Sequence, residues 1–235
     1  MPIRFSTVAG ALVLWSGLMA TGTQAFAQDA VFTLEGDVTI KSDYDFRGIS
    51  RSDKDFALQG GVDLVHGSGL YLGVFASTID DPLGHDVEFE SHIGYGMSSG
   101  AYDLDFRLNW DSFHGNGDSS GYLEFQSSIS RDYGLAYVTG GLSFTPADRE
   151  FGAGRSVYFF GEADMPLPLP NLPPVSVAFH LGHENFEGGF SKWDWSAAVF
   201  AEVADFEVGL GYYDTNLNNF RGADARVIFS IRKYF

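Results

Sequence analysis

The chain has 235 residues, with 31 acidic against 14 basic side chains, and its mean hydropathy of −0.04 resembles that of an ordinary soluble acidic domain. A net charge of −17 excludes the basic surface that a nucleic acid needs, so no nucleic-acid partner is expected. The absence of cysteine excludes disulfides and thiolate metal centres. The 29 glycines and 22 phenylalanines favour aromatic-rich β-structure.

The first 27 residues have the features of an export signal. Arg4 precedes an apolar stretch from Val8 to Met19, and Ala25-Phe26-Ala27 fits the small-residue rule for cleavage. This stretch is shorter than the roughly 20 residues that a membrane-spanning helix needs. We therefore predict a cleaved signal peptide over residues 1–27 and a single mature domain over residues 28–235.

Polar and apolar residues alternate with a period of two along most of the mature chain, as expected for strands with two different faces. The alternation is sustained from Thr33 to Arg47. It recurs at 87–95, 102–111, 175–182 and 192–203, and more weakly at 56–66, 69–79, 121–131, 134–145, 156–164, 205–215 and 222–235. We predict twelve strands, while ten or fourteen stay open.

The predicted connections alternate in character along the chain. Longer polar ones at 51–55, 80–86, 112–120, 146–155, 184–191 and 215–221 are separated by mostly tight turns. Long loops at one end and short turns at the other are typical of outer-membrane barrels. The exception is Met165 to Pro174, whose prolines predict an excursion outside the sheet.

Strand length and the placement of aromatic residues favour a membrane barrel over a soluble sandwich. The predicted strands approach the roughly 9–11 residues that a tilted membrane strand requires, and closure satisfies every backbone group in lipid. Aromatic residues near strand ends resemble interfacial girdles: Tyr44, Phe46, Tyr71, Trp110, Phe113, Phe125, Phe144, Trp193, Phe206 and Tyr212. The chain also ends on Phe235 in an alternating strand, which resembles the assembly signal of outer-membrane proteins. We predict an all-β, transmembrane, antiparallel up-and-down β-barrel in the outer membrane of a Gram-negative bacterium, with both termini in the periplasm.

Three segments also carry a family resemblance, 42–50 (SDYDFRGIS), 57–64 (ALQGGVDL) and 69–77 (GLYLGVFAS), and the match includes residues 88–95. Over about 42–97 the chain resembles the TorF family of porin-like proteins. Arg51 stands where that family usually has glutamine, so the first outer loop is more basic. The resemblance implies an outer-membrane barrel, and it supplies no catalytic residues.

If the apolar face meets lipid, the other face lines the interior and carries many charged residues. From this face we select as candidate pore-lining residues Asp43, Asp45, Arg47, Glu88, Glu90, Asp103, Asp105, Arg107, Glu124, Asp194, Asp224 and Arg226. We expect arginines to cross-link carboxylates there, because charges must be paired where water is scarce. Two interpretations stay open: these side chains fill the interior and stiffen the wall, or they line a narrow acidic pore, in which Asp and Glu favour cations.

Enzyme and metal motifs are weak. Gly96 to Gly100 matches G-x-S-x-G but precedes a strand instead of the helix that a nucleophile elbow needs, so we predict a β-turn. His180 and His183 are three residues apart and face opposite sides of a strand, so they cannot share one metal ion without a bulge. His114 with Ser112 or Asp111 has no orienting partner. We expect no catalytic residues, no metal site and no cofactor.

The sequence thus predicts a non-enzymatic, porin-like channel for passive diffusion of small hydrophilic solutes, with a weak cation preference. A non-conducting structural or adhesive barrel is the alternative, and an outer-membrane hydrolase comes third. Expected partners are outer-membrane lipid and lipopolysaccharide, the barrel-assembly machinery and small solutes. A homo-oligomer stays open.

Overall fold

Fourteen strands follow one another in this computed structural model, which describes residues 32–116, 119–147 and 154–235. The strands are β1 (Phe32–Lys41), β2 (Asp45–Phe46), β3 (Ile49–Ser50), β4 (Ala57–His66), β5 (Leu70–Thr78), β6 (His85–Ser99), β7 (Tyr102–Gly115), β8 (Ser120–Asp132), β9 (Tyr137–Thr145), β10 (Ser156–Leu167), β11 (Val175–Phe186), β12 (Ser191–Val203), β13 (Phe206–Thr215) and β14 (Arg226–Tyr234). The predicted signal peptide lies outside the described residues.

Twelve of these strands form one closed antiparallel barrel, which confirms the predicted fold class and strand number. Each of β4 to β13 pairs with the next strand in the chain, and β1 pairs with both β4 and β14. At the seam, the backbone N–H and C=O of Phe235 bond to Gly36 at 3.0 and 3.1 Å. Closure leaves the twelve-stranded sheet without a free edge.

The period-two pattern sorts side chains between the outside and the interior, which we call the lumen. On β12, Trp193, Trp195 and Val199 are exposed on the outer face. Lys192 and Asp194, from the same strand, are each 2% exposed inside. The barrel is therefore apolar outside and polar inside, the reverse of a soluble protein.

The first strand is shorter than predicted. Alternation continues to Arg47, but β1 ends at Lys41, which already pairs with Ala57 of β4. Residues 42–56 leave the wall and carry the two-stranded sheet β2–β3. We call residues 42–56 the lumen hairpin, because they fold back into the barrel.

Four of the predicted girdle aromatics are wrong for related reasons. Tyr44 and Phe46 are buried on the lumen hairpin, while Tyr71 and Phe113 are buried on the lumen face of the wall. The other six are exposed as predicted: Trp110, Phe125, Phe144, Trp193, Phe206 and Tyr212.

The proline-rich segment stays in the sheet longer than predicted. Met165 to Leu167 complete β10, with Pro166 paired opposite Ser176, so only residues 168–174 leave the sheet. This connection lies at the same end of the barrel as Phe32, where β1 begins, and Phe235. We call this end the terminal end and the opposite end the loop end. No helix in the described ranges is long and apolar enough to cross a membrane.

Candidate functional site: a lumen hairpin held by buried ion pairs

The lumen hairpin turns at its tip through Arg47 and Gly48. Both residues have positive φ, 50° and 82°, between the paired residues Phe46 and Ile49. Two such residues define the type I′ turn that joins twisted strands. A Cβ on Gly48 would lie 2.8 Å from Cβ atoms of Asp194 and Thr215, so only glycine allows the tip to pack against β12 and β13.

Arg47 anchors the tip to two strands of the barrel wall, β8 and β11. Its Nη2 donates to both carboxylate oxygens of Glu124 on β8 at 2.8 Å, and its Nη1 donates to Glu184 on β11 at 3.1 Å. Lys192 donates to the carbonyl oxygen of Arg47 at 2.6 Å. The guanidinium also lies 4.0 Å from the ring centroid of Tyr158. All these side chains are almost completely excluded from solvent, so removing one partner would leave a buried charge without its counter-ion.

Two further arginines hold the sides of the hairpin. Arg51, from the hairpin itself, pairs with Glu88 on β6. Arg226, the first residue of β14, reaches inward to Asp43 at 2.7 Å and to Asp45. The hairpin therefore contributes both signs of charge, and the wall supplies the complementary partner each time.

An apolar contact completes the anchorage. Tyr44 is fully buried and packs with its ring edge toward Phe75, 6.4 Å between centroids. Phe113 and Tyr122 stack at 6.0 Å in the same cluster. The hairpin occupies the loop-end half of the barrel, because its partners Glu88, Glu124 and Glu184 lie near the loop ends of β6, β8 and β11.

Below the hairpin, one side of the wall carries a network centred on Arg107 of β7. Arg107 pairs with Glu90 of β6, and it lies 2.8 Å from His92 Nδ1. His92 in turn contacts Asp63 of β4 at 2.5 Å. Asp105 accepts a bond from Tyr71 at 2.9 Å. This cross-linking of carboxylates by arginine follows the expectation from sequence.

A second network occupies the other side. His180 of β11 lies 3.1 Å from both Glu162 and Asp194. Tyr158 donates to Asp194 at 2.9 Å and lies 2.7 Å from His180 Nε2. Lys192 lies 3.4 Å from Asp194, so this network continues directly into the bonds that hold the hairpin tip.

At the loop end, exposed ion pairs join the hairpin to the connection 216–225. Arg221 bonds to Asp53 at 2.8 Å, and Lys54 to Asp224 at 2.6 Å. The hydrogen bond from Arg221 lowers the pKa of Asp53, and the hydrogen bond from Lys54 lowers the pKa of Asp224. We call these two pairs the loop latch. They are solvent-exposed, so each contributes little energy alone.

The structure distributes the candidate pore-lining residues unevenly. Eight are buried inside the barrel: Asp43, Asp45, Arg47, Glu88, Glu90, Arg107, Glu124 and Asp194. Asp103, Asp105 and Arg226 are half-buried. Asp43, Asp45 and Arg47 lie on the hairpin instead of the wall. The inclusion of Asp224 is wrong, because β14 begins at Arg226 and Asp224 lies exposed in the preceding connection.

Other residues of these networks do not stand in the candidate set. Arg51 lies in a predicted loop, and alternation carries no information there. Glu184 shares the strand phase of His180, so extending the 175–182 period to the end of β11 would have selected it. Lys192 already lies within the 192–203 alternation, on the same face as Asp194. Tyr158 lies four residues before Glu162 on β10, so alternation places both side chains in the lumen. An aromatic side chain taken alone favours the lipid face, which is why Tyr158 is absent from the candidate set.

The weak enzyme motifs do not assemble into a site. Gly96 to Ser99 belong to β6, which passes through a two-residue turn into β7, so only the end of the predicted β-turn is a turn. Ser112 and His114 bond at 3.1 Å on the outward face, whereas Asp111 is buried on the lumen face. His183 stacks on Trp193 at 4.2 Å, away from His180. Within the described ranges, no group of three or more His, Asp or Glu could hold a metal ion.

The buried residues are strongly acidic on balance. Among those described, twelve Asp and Glu side chains are buried against five Lys and Arg side chains. A closed antiparallel barrel with an apolar outer face, a charged interior and tight turns at one end is the architecture of bacterial outer-membrane β-barrel proteins.

The chain belongs to the family described as "Bacterial protein of unknown function (Gcw_chp)", whose model matches residues 25–233. No curated protein matches it. Among solved structures it is similar to the NanC porin, with a TM-score of 0.54, 9% identity, and coverage of 85% of this chain and 98% of that chain. That likeness supports the fold alone.

Two other solved structures are more distant. OpdK of Pseudomonas aeruginosa, solved with vanillate, gives a TM-score of 0.48 with 12% identity over 87% of this chain and 65% of that chain. An outer membrane channel from Pseudomonas putida F1 gives 0.47 with 12% identity over 90% and 97%. Neither score adds to the assignment of the fold.

Proposed function

We propose that the protein is a porin-like outer-membrane channel for passive diffusion of small hydrophilic solutes, with a weak preference for cations. The observation that carries this proposal is the charged lining of the lumen, with its excess of buried carboxylates over basic side chains among the described residues. Rings of Asp and Glu favour cations in pores. The resemblance to the TorF family of porin-like proteins supports the same function, and nothing in the proposal requires catalysis.

The lumen hairpin sets the constriction of this channel. Barrels of about eight strands are filled by side chains and those of roughly 16–18 hold open channels, so twelve strands leave room for one inserted segment. The ion pairs of Arg47, Arg51 and Arg226 close the loop-end half in this conformation. Solutes then pass when the hairpin tip leaves its partners on β8 and β11.

The same packing favours a second candidate, a non-conducting barrel with a structural or adhesive role. Arg47, Tyr44 and Glu184 are at most 2% exposed, as in a permanently filled interior. The two candidates differ in one respect: a channel has a conducting path once the hairpin is displaced, and a filled barrel has none.

A hairpin deletion separates the two candidates. Since Lys41 and Ala57 are directly paired, a short turn can join β1 to β4 in place of residues 42–56. We expect liposomes with this variant to swell in graded sugars and amino acids faster than liposomes with the wild type. Folding is checked by the heat-dependent gel mobility typical of barrels. If the folded variant passes no solute, the protein is a non-conducting barrel.

A further inference from the structure

One arginine on the outer face of the barrel, at its terminal end, has no acidic partner among the described residues. Arg131 is the second-to-last residue of β8 and faces outward in phase with the exposed Phe125 and Ile129. Within the described ranges, its side chain makes one hydrogen bond, from Nη1 to the hydroxyl of Tyr102 at 3.0 Å. Its Nε is buried without a partner, and no ion pair joins the guanidinium to a described carboxylate. This part of the chain therefore leaves the positive charge of Arg131 without a counter-ion.

Two tyrosines frame this guanidinium. Its central carbon lies 5.1 Å from the ring centroid of Tyr102, at the start of β7, and 4.9 Å from that of Tyr133, in the turn after β8. The two tyrosines are 40% and 61% exposed, so the frame lies at the surface of the barrel. Cation–π contacts hold the orientation of an arginine, but they supply no negative charge. The frame therefore presents Arg131 in a fixed position and leaves its charge available to a ligand.

A second outward-facing cation at the same end shows what Arg131 lacks. Lys233 of β14 is in phase with the exposed Ile231, and its Nζ lies 5.0 Å from the ring centroid of Phe206. Lys233 also pairs with Asp205 at 3.2 Å. Both cations contact aromatic rings at the edge of the lipid-facing wall, but of the two only Lys233 has a carboxylate among the described residues. A buried N–H donor without an acceptor, beside an uncompensated charge, indicates a partner from outside the chain.

The free edge of the guanidinium fits a phosphate group. Because Nη1 bonds to Tyr102, the remaining edge is formed by Nη2 and Nε. Two parallel N–H groups on one edge match two oxygens of a phosphate. Nη2 is the first donor that a phosphate meets, and Nε follows when the exposed ring of Tyr133 turns aside, since exposed side chains change rotamer within nanoseconds.

The neighbouring wall selects an anion that carries hydrocarbon chains. Val138 of β9 is paired directly opposite Arg131, and Ile129 lies two residues before Arg131 on the same face; they are 39% and 46% exposed. Leu135, in the turn beyond, is 84% exposed. These side chains continue the lipid-facing surface around Arg131, so acyl chains can lie along them while the phosphate stays at the interface. Short turns lie on the periplasmic side of outer-membrane barrels, where the leaflet consists of glycerophospholipids.

We propose that Arg131, with Tyr102 and Tyr133, forms a binding site for the phosphate of a glycerophospholipid in the periplasmic leaflet. Nη2 and Nε donate to the two non-bridging oxygens of the phosphodiester, and the acyl chains lie along Ile129 and Val138. The site goes beyond the proposed function. It faces lipid, so it does not depend on conduction through the lumen.

Native mass spectrometry of the protein purified from the outer membrane into detergent micelles tests the site. The probe is palmitoyl-oleoyl-phosphatidylglycerol. Arg131→Gln keeps a side chain that can bond to Tyr102 but removes the charge and the paired donors, so the apparent lipid affinity should fall about tenfold or more. Lys233→Gln is the matched control, because it removes one positive charge at the same end, and its affinity should equal that of the wild type. Palmitoyl-oleoyl-glycerol, which has the same chains and no phosphate, should bind more weakly and equally to all three proteins.

Equal affinities of the wild type and Arg131→Gln, an equal loss in Lys233→Gln, or equally tight binding of palmitoyl-oleoyl-glycerol would overturn the site. Displacement of the lipid by excess inorganic phosphate would assign the site to free phosphate instead. Tighter binding of oleate, with the same dependence on Arg131, would assign it to a carboxylate. Tighter binding of lipid A, again dependent on Arg131, would place it in the opposite leaflet. Each of these three results would refute the proposed glycerophospholipid.

Folding of each variant is checked by heat-dependent gel mobility. If Arg131→Gln does not fold, Arg131→Lys takes its place, because lysine keeps the charge but loses the planar pair of donors. The lipid affinity should then fall about threefold or more. An unchanged affinity in the folded Arg131→Lys would contradict recognition by the guanidinium.

Discussion

Replacing Arg47 by methionine should release the tip of the lumen hairpin while keeping much of its apolar volume. In the wild type the guanidinium pairs with two buried carboxylates, Glu124 on β8 and Glu184 on β11. Methionine leaves both acids without this partner in the closed conformation. In an open conformation water can reach them. The substitution therefore destabilises the closed state selectively.

The size of the effect follows from the burial of the pair. The side chain of Arg47 is 1% exposed, and those of its two partners are 6% and 0% exposed. Removing one member of a buried ion pair typically costs about 3–5 kcal/mol. Since each 1.4 kcal/mol is a factor of ten, even the lower value of about 3 kcal/mol shifts the closed-to-open ratio roughly 150-fold.

Single-channel recording in planar bilayers measures this ratio as open probability. We expect Arg47→Met to open far more often than the wild type. Arg155→Met is the control, because Arg155 forms an exposed pair with Glu187 at 3.0 Å, worth at most about 1 kcal/mol. Equal open probabilities for wild type and Arg47→Met, with both folded, would refute the role of this ion pair in closure.

Three further predictions concern the wall and the loop latch. Gly141→Ala should destabilise the barrel, because the new Cβ would lie 2.3 Å from the ring of Phe160 in the lumen. Gly140→Ala is the control and should not destabilise it, because no atom lies within 4 Å of the added Cβ. The stability of the two variants is compared by heat-dependent gel mobility. Val199→Arg on the outer face should cost about 2–4 kcal/mol if it lies at the bilayer midplane, measured by urea unfolding in lipid vesicles, and a neutral effect would contradict a lipid-facing position. The pKa values of Asp53 and Asp224 are lowered from 3.8, so the loop latch stabilises the closed state above that pH and is lost as the pH falls through the lowered values. The latch should therefore leave the open probability unchanged from about pH 5 to 8, and the open probability should rise below about pH 4. A change in open probability near neutral pH that is absent in Asp53→Asn would contradict this.

Period-two alternation predicts the barrel well because it reflects one dominant force. Each wall strand has one face in lipid and one in the lumen, so polarity reports orientation directly. This is why β12 and the central part of β7 are predicted residue by residue. Aromatic residues break the rule: Tyr71 and Phe113 face inward, where Tyr71 donates to Asp105 and Arg51 of the lumen hairpin lies over the ring of Phe113.

The hairpin itself is invisible to the same pattern. Residues 42–47 continue the alternation of β1 because the hairpin also has two different faces, one toward each side of the lumen. The turn at Arg47-Gly48 carries the one local signal, a glycine in a two-residue hairpin position. The ion pairs of Arg47 span 77 and 137 residues in sequence, so no local rule could have found them.

Ion selectivity is the sharpest test of the proposed conduction through the lumen. The proposed path runs along a lumen whose buried charges, among the described residues, are mainly acidic. In planar bilayers with a potassium chloride gradient, openings of the wild type and of Arg47→Met should show reversal potentials on the cation-selective side. Anion-selective openings, or the absence of any conductance from both folded proteins, would contradict it.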